Sequence, residues 1–385
     1  LNIVYVYNKE WPSKIPGANF CTFTCNGLSK VDKNNKVNLI MTQSSDTKYS
    51  KQNSKEILKN YFHIKNPNNN FNIYRLNYSQ KIGKHTGFYF KAVSKIIELN
   101  KKEQVDVIIT RNTNFLPYLY YLKKRIKAKI YFEAQHFYLA KNLREKNNRK
   151  KQYWFQNIFL RLVDGIICLQ KVEEKLISDF LPKSKYCVAR TGISKIFYNN
   201  KPFNNKYIGY IGSLDDSKGV KDLFYAFKEI NNKNLYLLIV GGKTEDKVNQ
   251  YKNLAKKLNI LDRLVITGWV NRVKLNNYLK EIKIGIVPAR DTFYNRYITS
   301  PMKIFDYFSH GIPVIGSDLP TVREIVTGQG GFFYKKGDIK GLASAIDLLA
   351  SSNSLYEETS NFIFERAKEL TWENRGEKLL EFFKE

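Results

Sequence analysis

The stretch TSPMKIFDYFSHGIPVIGSDLP (299–320) decides how this 385-residue chain is read. Ser300 suits the cap of a helix, and Pro301 suits its first turn, where an amide would be left unpaired anyway. A helix over 301–310 is expected, stopped by Gly311 and Pro313 and followed at once by the apolar strand PVIGSD (313–318). Helix, stop and buried strand make one step of a βαβ crossover, which implies a parallel sheet covered on both faces. The helix N-terminus offers unpaired N–H groups and the positive dipole end, both suited to a phosphate. Asp306, six residues after the cap, can reach the hydroxyls of a ribose beyond that phosphate. A capped helix with a solvated carboxylate is the competing reading, at even weight.

The same alternation extends outward in both directions. NIVYVY (2–7), KVNLIMT (36–42), VDVIIT (105–110), AKIYFEA (128–134), DGIICLQ (164–170) and YCVART (186–191) read as strands, with helices such as FLPYLYYLKKRIK (115–127) between them. The polar, Asn-rich TGISKIFYNNKPFNNK (191–206) is a linker. Strands then resume at 207–213, 235–242, 263–269, 282–289 and 313–318. The expected fold is therefore α/β, with two doubly wound parallel-sheet domains, Rossmann-like, over 1–195 and 196–370. The tail TWENRGEKLLEFFKE (371–385) is an amphipathic helix, apolar at Leu379, Leu380, Phe382 and Phe383, expected to cross back to the first domain. Sheets of this kind bind ligands beyond the carboxyl ends of their strands, so a cleft faced by both domains is the expected site.

Four turns at strand ends carry chemistry. In YIGSLDDSKGV (210–220), Gly212 permits close backbone approach, Ser213 follows it, and Lys218 precedes the next helix. The spacing is not that of a Walker loop. In WPSKIPGANF (11–20), Gly17 leaves room for a phosphate near the backbone, although GxGxxG is absent. ITRNTNFLPYL (109–119) and YFEAQHF (131–137) end strands in Arg111, Glu133 and His136. His136 would look into the cleft. Arg111 and Glu133 would touch an acceptor or support the site, and Glu133 reads equally well as a satisfied interior carboxylate.

Net charge is the unusual bulk property, +29 at pH 7. Residues 1–195 hold 36 Lys and Arg against 13 Asp and Glu, a net of +23, which leaves +6 for residues 196–385. A composition bias of the genome would not spare one half, so the first domain is expected to face an anionic partner. Two runs stand out: Lys123, Lys124, Arg125, Lys127 and Lys129, then Arg144, Lys146, Arg149, Lys150 and Lys151 ahead of YWFQNIFLRLV. That segment carries aromatics able to enter a membrane interface, or forms a core helix. Mean hydropathy is −0.44 and no apolar run is long enough to span a bilayer; no signal peptide is read at the start. Cys21, Cys25, Cys168 and Cys187 lack metal-ligand spacing and are expected as free thiols.

Taken together, YNRYITSPMKIFDYFSHGIPVIGSDLPTVREI (294–325), the upstream YIGSLDDSKGV and the TWENRGEKLLEFF tail resemble the family-4 retaining glycosyltransferases of GT-B fold. NIVYVYNKEWPSKIPGANF, DVIITRNTNFL, YFEAQHF and VDGIICLQKVEEKL stand in that family's order, so the resemblance spans nearly the whole chain. It implies transfer of a sugar from a nucleotide-sugar donor with retention, without an obligatory metal or a cofactor, to an acceptor held by the first domain. It further implies catalytic roles for His136 and Lys218, and donor contacts from Gly17, Gly212, Ser213, Thr299, Ser300, Pro301, Met302, Lys303 and Asp306. The family's ribose-binding glutamate falls on Asp306, and the acidic partner eight positions earlier falls on Ile298. The arginine of its diphosphate-binding pair falls on Ser213, leaving Arg290, Arg296 or Lys303 to compensate. The charge split then points to a lipid-linked or surface-polysaccharide acceptor and to a cytoplasmic enzyme peripheral on the inner face of an anionic membrane. The rival readings are a nucleic-acid-binding protein and a GT-B nucleotide-sugar epimerase.

Overall fold

The computed structural model describes residues 1–77, 85–145, 149–197, 202–242 and 244–385. Two compact units result: Leu1–Ser194 with Trp372–Glu385, and Lys195–Thr371. Each is built on a parallel sheet. The first holds β1 (Asn2–Trp11), β2 (Lys36–Gln43), β3 (Phe71–Leu76), β4 (Val107–Thr110), β5 (Lys129–Glu133), β6 (Gly165–Cys168) and β7 (Tyr186–Val188), in the order β3-β2-β1-β4-β5-β6-β7. The second holds β8 (Tyr207–Ile211), β9 (Tyr236–Val240), β10 (Leu264–Ile266), β11 (Ile282–Val287), β12 (Val314–Ser317) and β13 (Gly331–Tyr334), in the order β10-β9-β8-β11-β12-β13. The two orders are the same doubly wound pattern, so each sheet has one switch point: between β1 and β4, and between β8 and β11.

The central strands are buried on both faces. Ile3, Val4, Tyr5 and Val6 of β1 have no exposed surface, which explains their continuous apolar run. β3 and β13, which the apolar pattern did not mark, are edge strands, and most of β3 is only half-buried. A half-solvated edge needs no such run.

The C-terminal helix Trp372–Lys384 belongs to the first unit, where it lies against the Pro16–Val31 helix. Glycines permit the approach: a Cβ on Gly27 would sit 2.2 Å from the Trp372 carbonyl, and one on Gly376 3.1 Å from the Gly27 backbone. Trp372 packs its ring on Phe20 and Phe23. Leu379, Leu380, Phe382 and Phe383 join the same core, each such side chain contributing about 1.5–3 kcal/mol by burial. The expected long helices at 115–127 and 301–310 are shorter, Leu116–Lys123 and Met302–Phe308.

Candidate active site

In the second unit the loops leaving β8 and β11 interlock at the switch point. Gly219 adopts φ +66, and a Cβ there would fall 1.7 Å from the Pro288 carbonyl oxygen. The Arg290 amide donates to the Ser217 carbonyl (3.1 Å), and the Asn295 side-chain amide donates to the carbonyls of both Ser217 and Arg290. This floor holds Lys218, half-buried, at the end of the β8 loop. Lys303 approaches from the first turn of the Met302–Phe308 helix. Its Nζ stands 3.9 Å over the Tyr210 ring, and it would be 3.4 Å from a Cβ on Gly212. Tyr210 in turn donates its hydroxyl to the Ser213 carbonyl (2.7 Å), and Ser213 donates to Asp215 (2.6 Å).

The two ammonium groups feel each other. Burial lowers the Lys218 pKa, and Asp215 partly restores it. Burial also lowers that of Lys303, the charge on Lys218 lowers it further, and Asp306 opposes both. A half-buried pair of like charges is relieved by an anion placed between them. The candidates for a second cation are separated by the same geometry. Arg296 is held by Asp291 (2.9 Å) and the Arg290 side chain is exposed, so Lys303 stands with Lys218.

Several expected contacts are corrected here. Ser300 is not the helix cap: the chain stays extended through Pro301 (φ −68, ψ 98), which occupies the cap position without a side-chain cap bond. Thr299 is not an open donor, since its amide donates to the Tyr294 carbonyl (3.0 Å), and Pro301 has no amide. The first-turn amides of Met302 and Lys303 remain the donors without an intrahelical acceptor. Asp306 is not simply solvated; it is ion-paired with Arg272, which the sequence pattern does not flag. Ile298 is buried at 2% exposure, so its departure from the acidic residue turns an interior position apolar.

The switch point of the first unit is filled by its own side chains. Gly17 is needed for Tyr7, whose hydroxyl would lie 2.4 Å from a Cβ there, so a phenol occupies the Cβ side of this glycine. Glu133 is fully buried, which excludes it from touching an acceptor. It accepts from the Tyr5 hydroxyl and pairs with Arg375 of the C-terminal helix, while Arg111 Nε stands 3.6 Å away. Arg375 also donates to Thr24 Oγ1 (3.2 Å) and to the carbonyls of Ala189 and Arg190. Arg111 is buried as well, over the rings of Phe20 (4.5 Å) and Tyr7 (5.6 Å). Burial disfavours its charge, and Glu133 together with Tyr5, Cys21 and Tyr7 more than compensates. Both residues are therefore interior groups of the first unit.

His136 sits beyond β5 with open surface and its ring stacked on Tyr138. The surrounding protein, by displacing water from part of the ring, lowers its pKa first, and the charges of Arg111, Arg149 and Lys9 lower it further. Its loop is fastened by Gln156, a buried side chain from the Lys150–Phe159 helix. That amide donates to the His136 carbonyl (2.8 Å) and to Thr113 Oγ1 (3.1 Å), and accepts from the Tyr138 amide (2.6 Å). A glutamine on the inner side of an aromatic helix is the signal that could have revealed it. Among the described residues no group of three His, Cys, Asp or Glu gathers as a metal site, and the four cysteines are unbridged.

Two doubly wound sheets, with paired cations at one switch point, define the GT-B class of fold. Residues 194–366 match the family described as glycosyl transferases group 1. Alpha-monoglucosyldiacylglycerol synthase of Streptococcus pneumoniae is 24% identical over 77% of this chain and 70% of its own length. The capsular polysaccharide biosynthesis glycosyltransferase CapM of Staphylococcus aureus is 25% identical over 53% of this chain and 57% of its own. Among solved structures, Anabaena HepE in complex with UDP-glucose superposes with a TM-score of 0.74 at 13% identity, covering 100% of this chain and 99% of that one. Sucrose-phosphate synthase of Thermosynechococcus elongatus gives 0.76 at 15% identity, covering 100% and 98%. These matches support a glycosyltransferase of group 1, of the family-4 type.

Proposed function

We propose that this glycosyltransferase moves a hexosyl group from a nucleoside-diphosphate sugar to a glycan or lipid-linked acceptor, with retention and without a metal ion. The observation that carries the reading is Lys303, held over the Tyr210 ring beside Gly212, with the charge of Lys218 acting on it. The diphosphate lies against these two ammonium groups and the first-turn amides of Met302 and Lys303. Asp306 takes the ribose hydroxyls and His136 is assigned to the reacting sugar. As the bond from C1 to the β-phosphate oxygen breaks, negative charge grows on that phosphate, and fixed cations stabilise it more than they stabilise the ground state. The acceptor hydroxyl attacks C1 from the same face and passes its proton to the leaving phosphate oxygen.

The acceptor belongs to an anionic membrane surface, where the excess charge of residues 1–195 has its use. The relatives named as a glycolipid synthase and a capsular polysaccharide transferase agree with such an acceptor. Among the described residues no helix is long and apolar enough to cross a membrane, which is in keeping with a peripheral association. A thermal-shift screen against UDP-, GDP-, ADP- and dTDP-linked sugars tests the donor, with Lys218→Ala as control. Stabilisation by at least one donor, lost in the variant, is expected; unchanged transfer by Lys218→Ala would sink the diphosphate role. Release of free nucleotide and an altered sugar without any acceptor would replace transfer by epimerisation.

A further inference from the structure

In the first unit the Leu116–Lys123 and Lys150–Phe159 helices pack side by side, with the Tyr120 ring 6.0 Å from that of Phe159. Leu116, Leu119 and Leu122 of one, and Gln156 and Leu160 at the end of the other, turn inward. What remains outside is unusual. Trp154 is 58% exposed, Ile158 47% and Leu162 41%, one on each successive turn, with Tyr120 and Tyr121 exposed beside them. Spacing by four residues makes the first three a single stripe rather than scattered surface residues.

Cations stand on the rings of this face. Lys124 lies 4.6 Å over Tyr120, Arg125 4.8 Å over Tyr121, Lys151 5.3 Å over Phe155 and Arg144 4.5 Å over Tyr153. Residues 111–164 hold thirteen Lys and Arg against three Asp and Glu. Of those acids Glu133 is buried and Asp164 is paired with Lys123. Among the described residues none of Lys124, Arg125, Lys127, Lys150 or Lys151 has a carboxylate partner. Lys146 lies outside the described residues.

A nucleic acid would use the cations and the rings but leave Ile158 and Leu162 in water. An anionic bilayer uses all of them, with phosphates for the rim and the boundary between headgroups and acyl chains for the stripe. We infer that this two-helix face is the membrane-docking surface. Trp154, Ile158 and Leu162 enter the interface, and Lys124, Arg125, Lys150 and Lys151 contact lipid phosphates. The inference names the surface for the membrane acceptor proposed above and rests on that reading for its purpose.

Vesicle sedimentation tests it, using phosphatidylcholine alone and with 30% phosphatidylglycerol (about one lipid in three), alongside a single-stranded RNA of random sequence. The wild-type chain is expected to sediment with the anionic vesicles and not with the neutral ones. Trp154→Ala with Ile158→Ser should weaken binding at least tenfold. The quadruple Lys124→Gln, Arg125→Gln, Lys150→Gln, Lys151→Gln should weaken it similarly and flatten its salt dependence. Donor-induced thermal shift should stay as in wild type for both, which shows that they fold. Anionic-vesicle binding that both variants retain, or RNA binding without vesicle binding, would overturn the docking face. Transfer to a short water-soluble acceptor, measured in parallel, separates the two readings. If that transfer is absent while vesicle binding follows the variants, the proposed reaction fails and the docking surface stands.

Discussion

The two units share one strand order yet use their switch points in opposite ways. In the first, the crevice between β1 and β4 is closed by Tyr7 over Gly17 and by buried Arg111, Glu133 and Arg375, so its charges answer one another. In the second, Lys303 stands beside Gly212 within reach of the Lys218 charge, and burial holds both lysines short of their ordinary basicity. The same topology can therefore serve as an internal lock or as an anion seat. The difference lies in whether the opposite charge comes from the chain or from a ligand.

The largest effect is expected from opening the lock. Arg375→Met leaves Glu133 with Arg111 as its remaining cation and should destabilise the first unit by about 3–5 kcal/mol, read in urea unfolding. Native-like stability would show that the buried charges are dispensable. Removing one cation from the seat comes next. Lys303→Ala should lower transfer by roughly 10²–10³-fold with little change in unfolding, and stability falling instead of turnover would erase the contrast between the units. Gln156→Leu should cost about 1–3 kcal/mol by leaving the His136 carbonyl and the Tyr138 amide unpaired. Circular dichroism melts would show it.

Smaller still is Arg272→Ala, which frees the partly exposed Asp306 and should change donor KM by only a few-fold, with kcat kept. The pH dependence follows from the directions of the shifts. Depressed lysine pKa values mean that the seat loses charge as pH rises, so donor affinity should fall below the ordinary lysine range near pH 10.5. His136, depressed as well, should keep any acid limb of the rate profile below its ordinary 6.5. Donor titrations and kcat/KM across pH check both.

Much of this was legible from local pattern. Central strands such as β1 and β11 announce themselves because both faces are buried, whereas the edge strands β3 and β13 are partly exposed and do not. Gly212 and Lys218 sit on one short turn and could be picked out together. Glu133 could not be assigned, because its partner Arg375 lies 242 residues away on a helix whose apolar stripe hides one arginine. The choice of Lys303 over Arg290 and Arg296 depended on Asp291 holding Arg296, which is a matter of side-chain direction rather than spacing. Ser300 misled because the turn into the helix occurs after Pro301, one residue later than cap chemistry suggested.

The discontinuity of the first unit bears on how the chain is made. Residues 195–371 must leave the ribosome before Trp372 can reach Gly27 and Gly192. At 5–20 residues per second those 177 residues take roughly ten to thirty-five seconds. During that interval the nascent first unit exposes the groove that Trp372, Leu379 and Phe382 later fill, and Glu133 waits for Arg375. The second unit, continuous in sequence, has no such delay. The half of the molecule synthesised first is therefore the half completed last, and the interval of exposure to chaperones and proteases falls on it.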